Sequence, residues 1–339
     1  MIRILYPDAI FSGEPDVERA VAGDDASIEV YRATSLSQIP QESQARADGI
    51  MIGAMSFGEP QLQHLPRCRI VIRTGVGYDT VDLKACGDRG IPVCNVPDFA
   101  TTDVADHAIA MVLTLARATA HYNESLRANL TSGWRYDYPQ TIRRLRDLVL
   151  GIVGLGATGT ASALRGKAFG MSVQIIDPYA AAGLDQALGI KRAPSFESLL
   201  GAADVITIHV PLTEDTRGMI NAHAIARMRL GTLLVNTARG AIVDTSAVLE
   251  GIRSGHLGGV GLDVLPKEPA DLSDPLVAAW KANEPWIRGR VILSPHAAFF
   301  SPASLIDQRR KSVEAAMSYL RDGALVNCVN ARFLQSPRN

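Results

Sequence analysis

Cysteine is scarce in this sequence and follows no pattern that would hold a metal ion or a disulfide framework. Four cysteines, Cys68, Cys86, Cys94 and Cys328, occur in 339 residues, and none belongs to a C-x-x-C pair. A disulfide-stapled fold is therefore not expected, and the composition fits a reducing compartment. The sequence predicts no metal ion.

A dominant charge and a long apolar run are also absent. The 34 Lys and Arg residues nearly balance the 35 Asp and Glu residues, so no large one-signed field is available to bind nucleic acid or an anionic membrane. No apolar run is long enough to span a bilayer, and the N-terminus lacks the apolar core and cleavage site of a signal peptide. The sequence predicts a cytoplasmic protein, either a small-molecule enzyme or a protein-binding module, with neither nucleic acid nor membrane as a partner.

The chain is long and apolar enough for two domains, and its strand-sized runs fall into two series. The runs are rich in Ile and Val and alternate with helix-compatible stretches, which predicts parallel sheets covered on both faces. The first series is Ile2 to Tyr6, Ile28 to Tyr31, Gly49 to Ile52, Ile70 to Arg73 and Pro92 to Asn95; the second is Leu148 to Val153, Val173 to Ile176, Val205 to Ile208, Leu233 to Asn236, Val260 to Asp263 and Val291 to Leu293. The predicted fold class is α/β, with two doubly wound parallel-sheet domains.

Helical spacing of apolar residues predicts one long helix from Asp103 to Ala120, which leaves the first domain. A helical tail from Pro302 to about Asp322 follows the last strand, and we expect it to return to the first domain. The predicted first domain is thus discontinuous, residues 1–101 and 299–339, around a second domain of residues 102–298. An irregular loop is predicted for Trp280 to Trp286.

A glycine motif lies between a predicted strand and a predicted helix at the start of the second domain. The sequence Gly154-Leu155-Gly156-Ala157-Thr158-Gly159 has the G-x-G-x-x-G spacing that lets a tight turn bring backbone N–H groups to a pyrophosphate. Asp177, at the end of the next strand, is placed to accept hydrogen bonds from ribose hydroxyls and would repel a 2′-phosphate. The motif predicts a Rossmann domain that prefers NADH to NADPH. An ordinary strand-to-helix turn is the alternative.

Arg239, Glu268 and His296 each follow a different predicted strand of the second domain. All three are therefore expected at the carboxyl edge of the sheet, where ligands of open α/β folds bind. Hydride transfer to a 2-oxo acid needs a cation for the carboxylate, an acid for the developing alkoxide, and a carboxylate that orients this acid. Each residue alone is more often structural or at the surface, but the three together predict a catalytic group.

The remaining histidines show no such arrangement. His107, His121, His209 and His223 lack an accompanying Arg and Glu at strand ends, and His64 is a predicted surface residue, as is His256. In the first domain, the segment Arg73 to Asp79 follows a strand and contains glycines that could expose backbone N–H groups to an anion. A turn that binds no ligand is the alternative for this segment.

Together these motifs resemble the D-isomer-specific 2-hydroxyacid dehydrogenase family, over nearly the whole chain from Gly49 to Cys328. The resemblance rests on the glycine motif with Asp177, on Leu234 to Gly240, on Gly261 to Val264 followed by Glu268-Pro269, and on Ser294-Pro295-His296. It implies a flavodoxin-like substrate domain, a Rossmann NAD-binding domain and a homodimer.

The resemblance also implies a role for each site residue. Arg239 would bind and polarise the substrate, Glu268 would support His296, and His296 would be the proton donor. The cofactor would further contact Thr101, Val210, Pro211, Thr237, Ala238 and Asp263, and the substrate carboxylate would lie against Gly75, Val76 and Gly77.

Within the family, the sequence is most similar to the C-terminal binding proteins, which are dehydrogenase-like corepressors. The similarity is seen in Arg73 to Asp79, Lys167 to Gly170, Asp177 to Tyr179 and Asn327 to Asn330. By their pattern Arg73 would be a second carboxylate ligand, whereas Phe299 stands where they have a Trp. The predicted function is an NAD-dependent dehydrogenase of a small 2-hydroxy or 2-oxo acid; the alternative is an NAD(H)-sensing, corepressor-like binding module with little turnover.

Overall fold

The computed structural model describes residues 1–136 and 142–334. The chain divides into two compact units: Met1–Ala100 with Phe300–Asn339, called the first unit, and Thr101–Phe299, called the second unit. Residues 335–339 of the predicted first domain lie outside the described residues. Among the described helices, none has both the length and the apolar character needed to cross a bilayer.

The described part of the first unit contains a parallel five-stranded sheet with strand order β2-β1-β3-β4-β5. Its strands are β1 (Ile2–Tyr6), β2 (Ala26–Val30), β3 (Gly49–Ile52), β4 (Ile70–Arg73) and β5 (Val93–Asn95). Its helices are α1 (Asp16–Ala22), α2 (Gln41–Arg46), α3 (Glu59–Leu62), α4 (Leu83–Asp88) and α13 (Pro302–Asp322), with 3-10 turns at Leu36–Gln38 and Ala331–Phe333. Alternate strand residues enter two separate apolar cores, Ile70 and Ile72 one and Val71 the other, so both sheet faces are covered.

Helix α13 packs against β3, β4 and α1. Ser301 caps the helix, because its hydroxyl accepts a hydrogen bond from the Ser304 N–H at 3.0 Å. Arg309 forms two hydrogen bonds with the buried Glu18 carboxylate, at 2.8 and 2.6 Å, and its guanidinium lies 3.8 Å from the centroid of the Phe11 ring. This buried ion pair joins helix α13 to helix α1.

The described part of the second unit contains a parallel seven-stranded sheet with strand order β12-β11-β10-β9-β6-β7-β8. Its strands are β6 (Val149–Val153), β7 (Ser172–Ile176), β8 (Lys191–Arg192), β9 (Val205–Ile208), β10 (Thr232–Asn236), β11 (Leu257–Leu262) and β12 (Val291–Leu293). Its helices are α5 (Thr101–Arg117), α6 (Thr119–Ala128), α7 (Ala157–Ala168), α8 (Leu184–Leu188), α9 (Phe196–Ala202), α10 (Ala222–Arg227), α11 (Thr245–Arg253) and α12 (Pro275–Lys281), with 3-10 turns at Leu145–Asp147 and Gly240–Ile242. The strand order reverses between β6 and β9, where ligands of doubly wound folds bind. The predicted fold class is confirmed.

Two local predictions are wrong in part. The single helix predicted from Asp103 to Ala120 is interrupted at Ala118, whose φ of 52° is left-handed and separates α5 from α6. One such residue breaks the helical hydrogen-bond ladder without changing the spacing of apolar side chains. Of the loop predicted from Trp280 to Trp286, Trp280 and Lys281 instead end helix α12, and irregular chain follows from Ala282 to Trp286 as predicted. Trp286 packs on the core, with the Arg253 guanidinium 5.0 Å from its ring centroid.

Candidate active site

The three predicted catalytic residues follow neighbouring strands of the second unit. Strands β10, β11 and β12 are parallel and lie side by side, so their carboxyl ends meet at one edge of the sheet. Arg239 lies shortly after β10, Glu268 in the loop after β11, and His296 shortly after β12. The fold thus brings the three chain segments to the same edge.

His296 and Glu268 form a direct hydrogen bond. His296 Nδ1 lies 2.6 Å from Glu268 Oε2, and the other carboxylate oxygen, Oε1, accepts the Leu265 N–H at 3.0 Å. Because an ionised carboxylate only accepts hydrogen bonds, Nδ1 carries a proton. The second ring nitrogen, Nε2, is therefore the one left to exchange a proton with a reacting group.

The Glu268 carboxyl has a lowered pKa. Burial raises the pKa, but the hydrogen bonds from His296 and Leu265 outweigh this effect, aided by the positive charges of His296 and Arg239. The net result is a pKa below the ordinary value of 4.5. Glu268 is therefore ionised at neutral pH, and in this state it accepts the hydrogen bond from Nδ1–H of His296.

Asn236, the last residue of β10, shapes the turn that holds Arg239. Its side-chain amide donates to the Arg239 carbonyl at 2.8 Å and accepts the Ala238 N–H at 2.9 Å. Gly240 then passes so close to Leu265 that a Cβ here would lie 1.9 Å from the Leu265 carbonyl carbon. Only glycine permits this approach, which brings the Arg239 turn against the loop that leads to Glu268.

Asp263 is buried and binds the turn around His296. Its Oδ1 accepts the Ala297 N–H at 2.8 Å, its Oδ2 accepts the Ala298 N–H at 3.0 Å, and its backbone carbonyl accepts the His296 N–H at 2.7 Å. His296 has a φ of 52°, a left-handed conformation that is uncommon for a residue with a side chain. Asp263 thus fixes the backbone from which the His296 ring projects. The ring of Phe299 meets the His296 ring edge-on, with centroids 6.2 Å apart.

Sequence analysis did not identify two members of this cluster, His107 on α5 and Ser294. Ser294 Oγ lies 2.5 Å from Asp263 Oδ1 and 2.9 Å from His107 Nε2. Because 187 positions separate His107 from Ser294, no local pattern in the sequence could have predicted the contact. The nearest available indication was that Ser294 directly precedes the Pro295-His296 pair.

The glycine motif forms a tight turn between β6 and α7. Gly154 has a φ of 95°, and a Cβ there would lie 2.8 Å from the His209 carbonyl oxygen, so the position requires glycine. Gly156 and Ala157 are exposed, and a Cβ on Gly156 would meet no described atom within 4 Å. The start of α7 therefore faces open space, into which its first backbone N–H groups can donate.

Asp177 follows β7 and is tied to the glycine turn. Its Oδ2 accepts the Leu155 N–H at 2.7 Å, and its Oδ1 accepts the Tyr179 N–H at 2.8 Å. Each oxygen retains a lone pair for a further donor. Arg192 lies beside this residue, where its guanidinium donates to the Asp177 backbone carbonyl and to the Asp185 carboxylate.

The other predicted cofactor residues lie at the carboxyl ends of β9 and β10 and at the start of α5. Val210 and Pro211 follow β9, Thr237 and Ala238 follow β10, and Thr101 begins α5. The Thr237 hydroxyl is buried and has no hydrogen-bond partner within residues 1–136 and 142–334. Leaving a buried hydroxyl without a hydrogen-bond partner costs free energy, so Thr237 indicates that a bound ligand supplies the missing partner.

His209, which precedes Val210, is neutral at physiological pH. Loss of solvation lowers the pKa of its imidazole to about 4, and the ring is hydrogen-bonded to Thr207 Oγ1 at 3.1 Å. Its position against the Gly154 turn gives it a packing role beside the predicted cofactor residues.

In the first unit, Arg73 ends β4 and the loop from Gly75 to Gly77 follows. The Gly75 carbonyl accepts the Val96 N–H at 3.1 Å, and the Val76 carbonyl accepts the Asn95 side-chain amide at 2.7 Å. A Cβ on Gly75 would lie 2.5 Å from Arg73 Nη1, so the guanidinium lies directly against the loop. With both carbonyls engaged by the protein, the loop presents backbone N–H groups and a cation.

Known proteins resemble both units. Residues 109–298 match the family model described as D-isomer specific 2-hydroxyacid dehydrogenase, NAD binding domain. The glycerate dehydrogenase of Methylorubrum extorquens is 34% identical over 295 residues, which cover 84% of this chain and 88% of the relative.

Two solved structures extend the comparison. The D-lactate dehydrogenase of Aquifex aeolicus, complexed with NAD and lactic acid, is 29% identical with a TM-score of 0.81, over 94% of this chain and 95% of that chain. The NADPH-dependent glyoxylate/hydroxypyruvate reductase of Sinorhizobium meliloti, in complex with NADP and malonate, is 27% identical with a TM-score of 0.81, over 100% of this chain and 99% of that chain. The chain therefore belongs to the D-isomer-specific 2-hydroxyacid dehydrogenase family, whose members are oxidoreductases that act on the CH–OH group of 2-hydroxy acids.

Proposed function

We propose that this chain reduces a small 2-oxo acid with NADH, and oxidises the matching D-2-hydroxy acid with NAD⁺, using His296 as the general acid and base. The observation that supports this most directly is the 2.6 Å hydrogen bond between His296 Nδ1 and Glu268 Oε2. Arg239 adds a cation close enough to lower the pKa of Glu268. The similar D-lactate dehydrogenase, complexed with NAD and lactic acid, supports the same class of substrate.

Each residue of the group has a chemical task. Glu268 holds Nδ1–H of His296, so Nε2 delivers a proton to the substrate oxygen during reduction and accepts it during oxidation. Arg239 binds the substrate carboxylate through two parallel hydrogen bonds, which orients the C2 carbonyl. Bound NADH supplies the hydride. Proton delivery by His296 prevents negative charge from accumulating on the substrate oxygen.

The residues of the second unit fit a dinucleotide. The exposed start of α7 at Gly156 suits a pyrophosphate, and Asp177 retains acceptor capacity for ribose hydroxyls. The buried Thr237 hydroxyl would gain a partner from the same ligand. We assign the remaining cofactor contacts to Leu155, Ala157, Thr158, Gly159, Thr101, Val210, Pro211, Ala238 and Asp263.

The same site should prefer NADH to NADPH. The Asp177 carboxylate would repel the 2′-phosphate of NADPH. Arg192, the cation beside it, donates to Asp185 and to backbone carbonyls. Because the similar reductase of Sinorhizobium meliloti is NADPH-dependent, the cofactor preference of this protein should be measured with both NADH and NADPH.

A second anchor for the substrate carboxylate is proposed in the first unit. Arg73 lies against the loop that holds Gly75, Val76 and Gly77, and the loop carbonyls are engaged by Val96 and by the Asn95 amide. This arrangement suits an anion. Phe299, edge-on to His296, is proposed to contact the substrate side chain.

The corepressor-like alternative is not favoured, because the relatives matched over most of their length are named as dehydrogenases and reductases. The narrower similarity to C-terminal binding proteins stays a prediction from sequence. The homodimer and the cytoplasmic location also stay predictions. Size-exclusion chromatography with light scattering would test the homodimer directly.

The experiment that tests the proposal follows NADH absorbance with purified protein and a panel of 2-oxo acids, from glyoxylate and pyruvate to branched and aromatic acids. His296→Gln should lower kcat on the order of a hundredfold or more, with NADH affinity changed little. His223→Gln, an exposed histidine on α10, is the matched control and should retain full activity. Unaltered turnover in His296→Gln would remove His296 from the reaction, and NADH binding without reduction of any acid would favour the binding-module alternative.

A further inference from the structure

A chain of hydrogen bonds leads from helix α5 to the turn that holds His296. His107 Nε2 lies 2.9 Å from Ser294 Oγ, and Ser294 Oγ lies 2.5 Å from Asp263 Oδ1. The Asp263 side chain is 1% exposed and the His107 side chain 31%, so the chain runs from a partly accessible imidazole to a buried carboxylate. The proposed reaction assigns no task to His107 or Ser294.

The direction of each hydrogen bond follows from the available protons. Asp263 accepts the N–H groups of Ala297 and Ala298, as an ionised carboxylate does. Ser294 has one hydroxyl proton, and the 2.5 Å distance to Asp263 indicates that this proton points to the carboxylate. Ser294 Oγ therefore acts as the acceptor toward His107, which must carry its proton on Nε2.

This chain of hydrogen bonds limits the rotation of the Asp263 carboxylate. The carboxylate accepts hydrogen bonds from the Ser294 hydroxyl and from the N–H groups of Ala297 and Ala298. These residues lie on both sides of His296 in the sequence. His296 needs this support because its left-handed φ of 52° is a conformation that residues with a side chain rarely adopt. When His107 holds the Ser294 hydroxyl, the hydroxyl stays aligned with Asp263, and Asp263 stays aligned with the turn.

We infer that His107 is a positioning residue for the proton donor His296, acting through Ser294 and Asp263. The inference rests on the proposed function of His296. His107 is assigned no contact with substrate or cofactor; it sets the orientation in which His296 Nε2 meets the substrate oxygen. Small errors in that orientation reduce the rate more than they reduce binding.

The test compares His107→Leu, His107→Gln and Ser294→Ala with the unaltered protein. We expect His107→Leu to lower kcat about tenfold, the factor that one lost hydrogen bond of ordinary strength gives, with KM for the 2-oxo acid and Kd for NADH within about twofold. His107→Gln should recover activity to within about threefold, because its amide can still donate to Ser294. The double variant His107→Leu with Ser294→Ala should be no worse than the poorer single variant, since both act on one hydrogen-bond chain.

Three results would overturn the inference. One is an unchanged kcat in His107→Leu, and another is an equal loss of kcat in His107→Leu and His107→Gln. The third is a loss of NADH affinity by the same factor as kcat, which would place the effect in cofactor binding, where Asp263 is assigned a contact, and not in the orientation of His296. Thermal unfolding shows whether His107→Leu folds, and Ser294→Ala tests the same chain of hydrogen bonds if it does not. Failure of the proposed function can be distinguished from failure of this inference. Full turnover in His296→Gln would contradict the catalytic role of His296. An inactive His296→Gln together with a fully active His107→Leu would contradict only the role of His107.

Discussion

Replacing Glu268 with Gln removes one negative charge and keeps the shape of the side chain. In the structure Oε1 accepts the Leu265 N–H and Oε2 accepts His296 Nδ1–H. A Gln amide has a single acceptor oxygen, so one of the two donors must face the NH₂ group instead. The variant therefore loses either the support of the loop or the hydrogen bond that holds His296 as a proton donor.

The magnitude follows from the geometry. A hydrogen bond to a charged group contributes about 1.5–3 kcal/mol, but the His296 and Glu268 side chains are 40% and 37% exposed. Solvent screening places the contribution at the lower end, about 1.5 kcal/mol. Because about 1.4 kcal/mol corresponds to a tenfold change in rate, we expect kcat to fall about tenfold in Glu268→Gln.

Steady-state kinetics with NADH and the best 2-oxo acid of the panel would measure this effect, together with NADH titration by protein fluorescence. Glu250→Gln is the matched control, since Glu250 is 69% exposed and pairs with Arg253 on α11. A kcat within about twofold of the unaltered protein would show that Glu268 does not support His296 in this way. So would a fall in NADH affinity as large as the fall in kcat, because the effect would then lie in cofactor binding.

Three further predictions concern the second unit. Asp177→Asn should lower the preference for NADH over NADPH about tenfold in fluorescence titrations, and an unchanged preference would remove Asp177 from cofactor selection. Asp147→Asn, at an exposed residue before β6 and so away from the carboxyl edge of the sheet, is the control and should leave the preference unchanged. Because the pKa of His209 is lowered to about 4, the unfolded chain binds a proton between about pH 6.5 and pH 4 that the folded chain does not bind, and the folded protein loses stability as the pH falls through this range. In urea unfolding at pH 7 and pH 5, His209→Asn should remove up to about 2 kcal/mol of this loss, and an equal pH dependence in the two proteins would contradict the prediction. Gly240→Ala should lower the free energy of unfolding by about 3 kcal/mol or more, and with it the melting temperature, because its Cβ would lie 1.9 Å from a backbone carbon. The control, Gly201→Ala, whose Cβ would have its nearest atom at 3.9 Å, should leave the melting temperature nearly unchanged, and similar melting temperatures for both variants would show that the backbone adjusts.

The three catalytic candidates could be predicted from the sequence because the carboxyl ends of parallel strands lie at the same edge of a sheet. Arg239, Glu268 and His296 lie far apart in sequence, yet each follows a strand whose place in the sheet could be inferred from alternation with helices. The Glu268–His296 hydrogen bond follows from that arrangement. The fold class was predicted for the same reason, since strands buried on both faces leave continuous Ile and Val runs.

Contacts that depend on backbone detail could not be predicted. The break at Ala118 changes one φ angle and leaves the apolar spacing intact, so the sequence suggested one helix where there are two. The His107–Ser294 contact depends on how α5 packs against the sheet, where it lies against β10 and β11. Strand β8 has only two residues, which is too short for a periodic pattern, so it could not be predicted.

The stereochemistry of the product is a direct test of the proposed dehydrogenase function. Purified protein would reduce with NADH the best 2-oxo acid of the panel that gives a chiral product, which leaves out glyoxylate, and chiral chromatography would resolve the 2-hydroxy acid formed. We expect the unaltered protein to form the D-enantiomer alone, and His296→Gln to form it on the order of a hundredfold or more slowly. Formation of the L-enantiomer or of a racemate would contradict the proposed function.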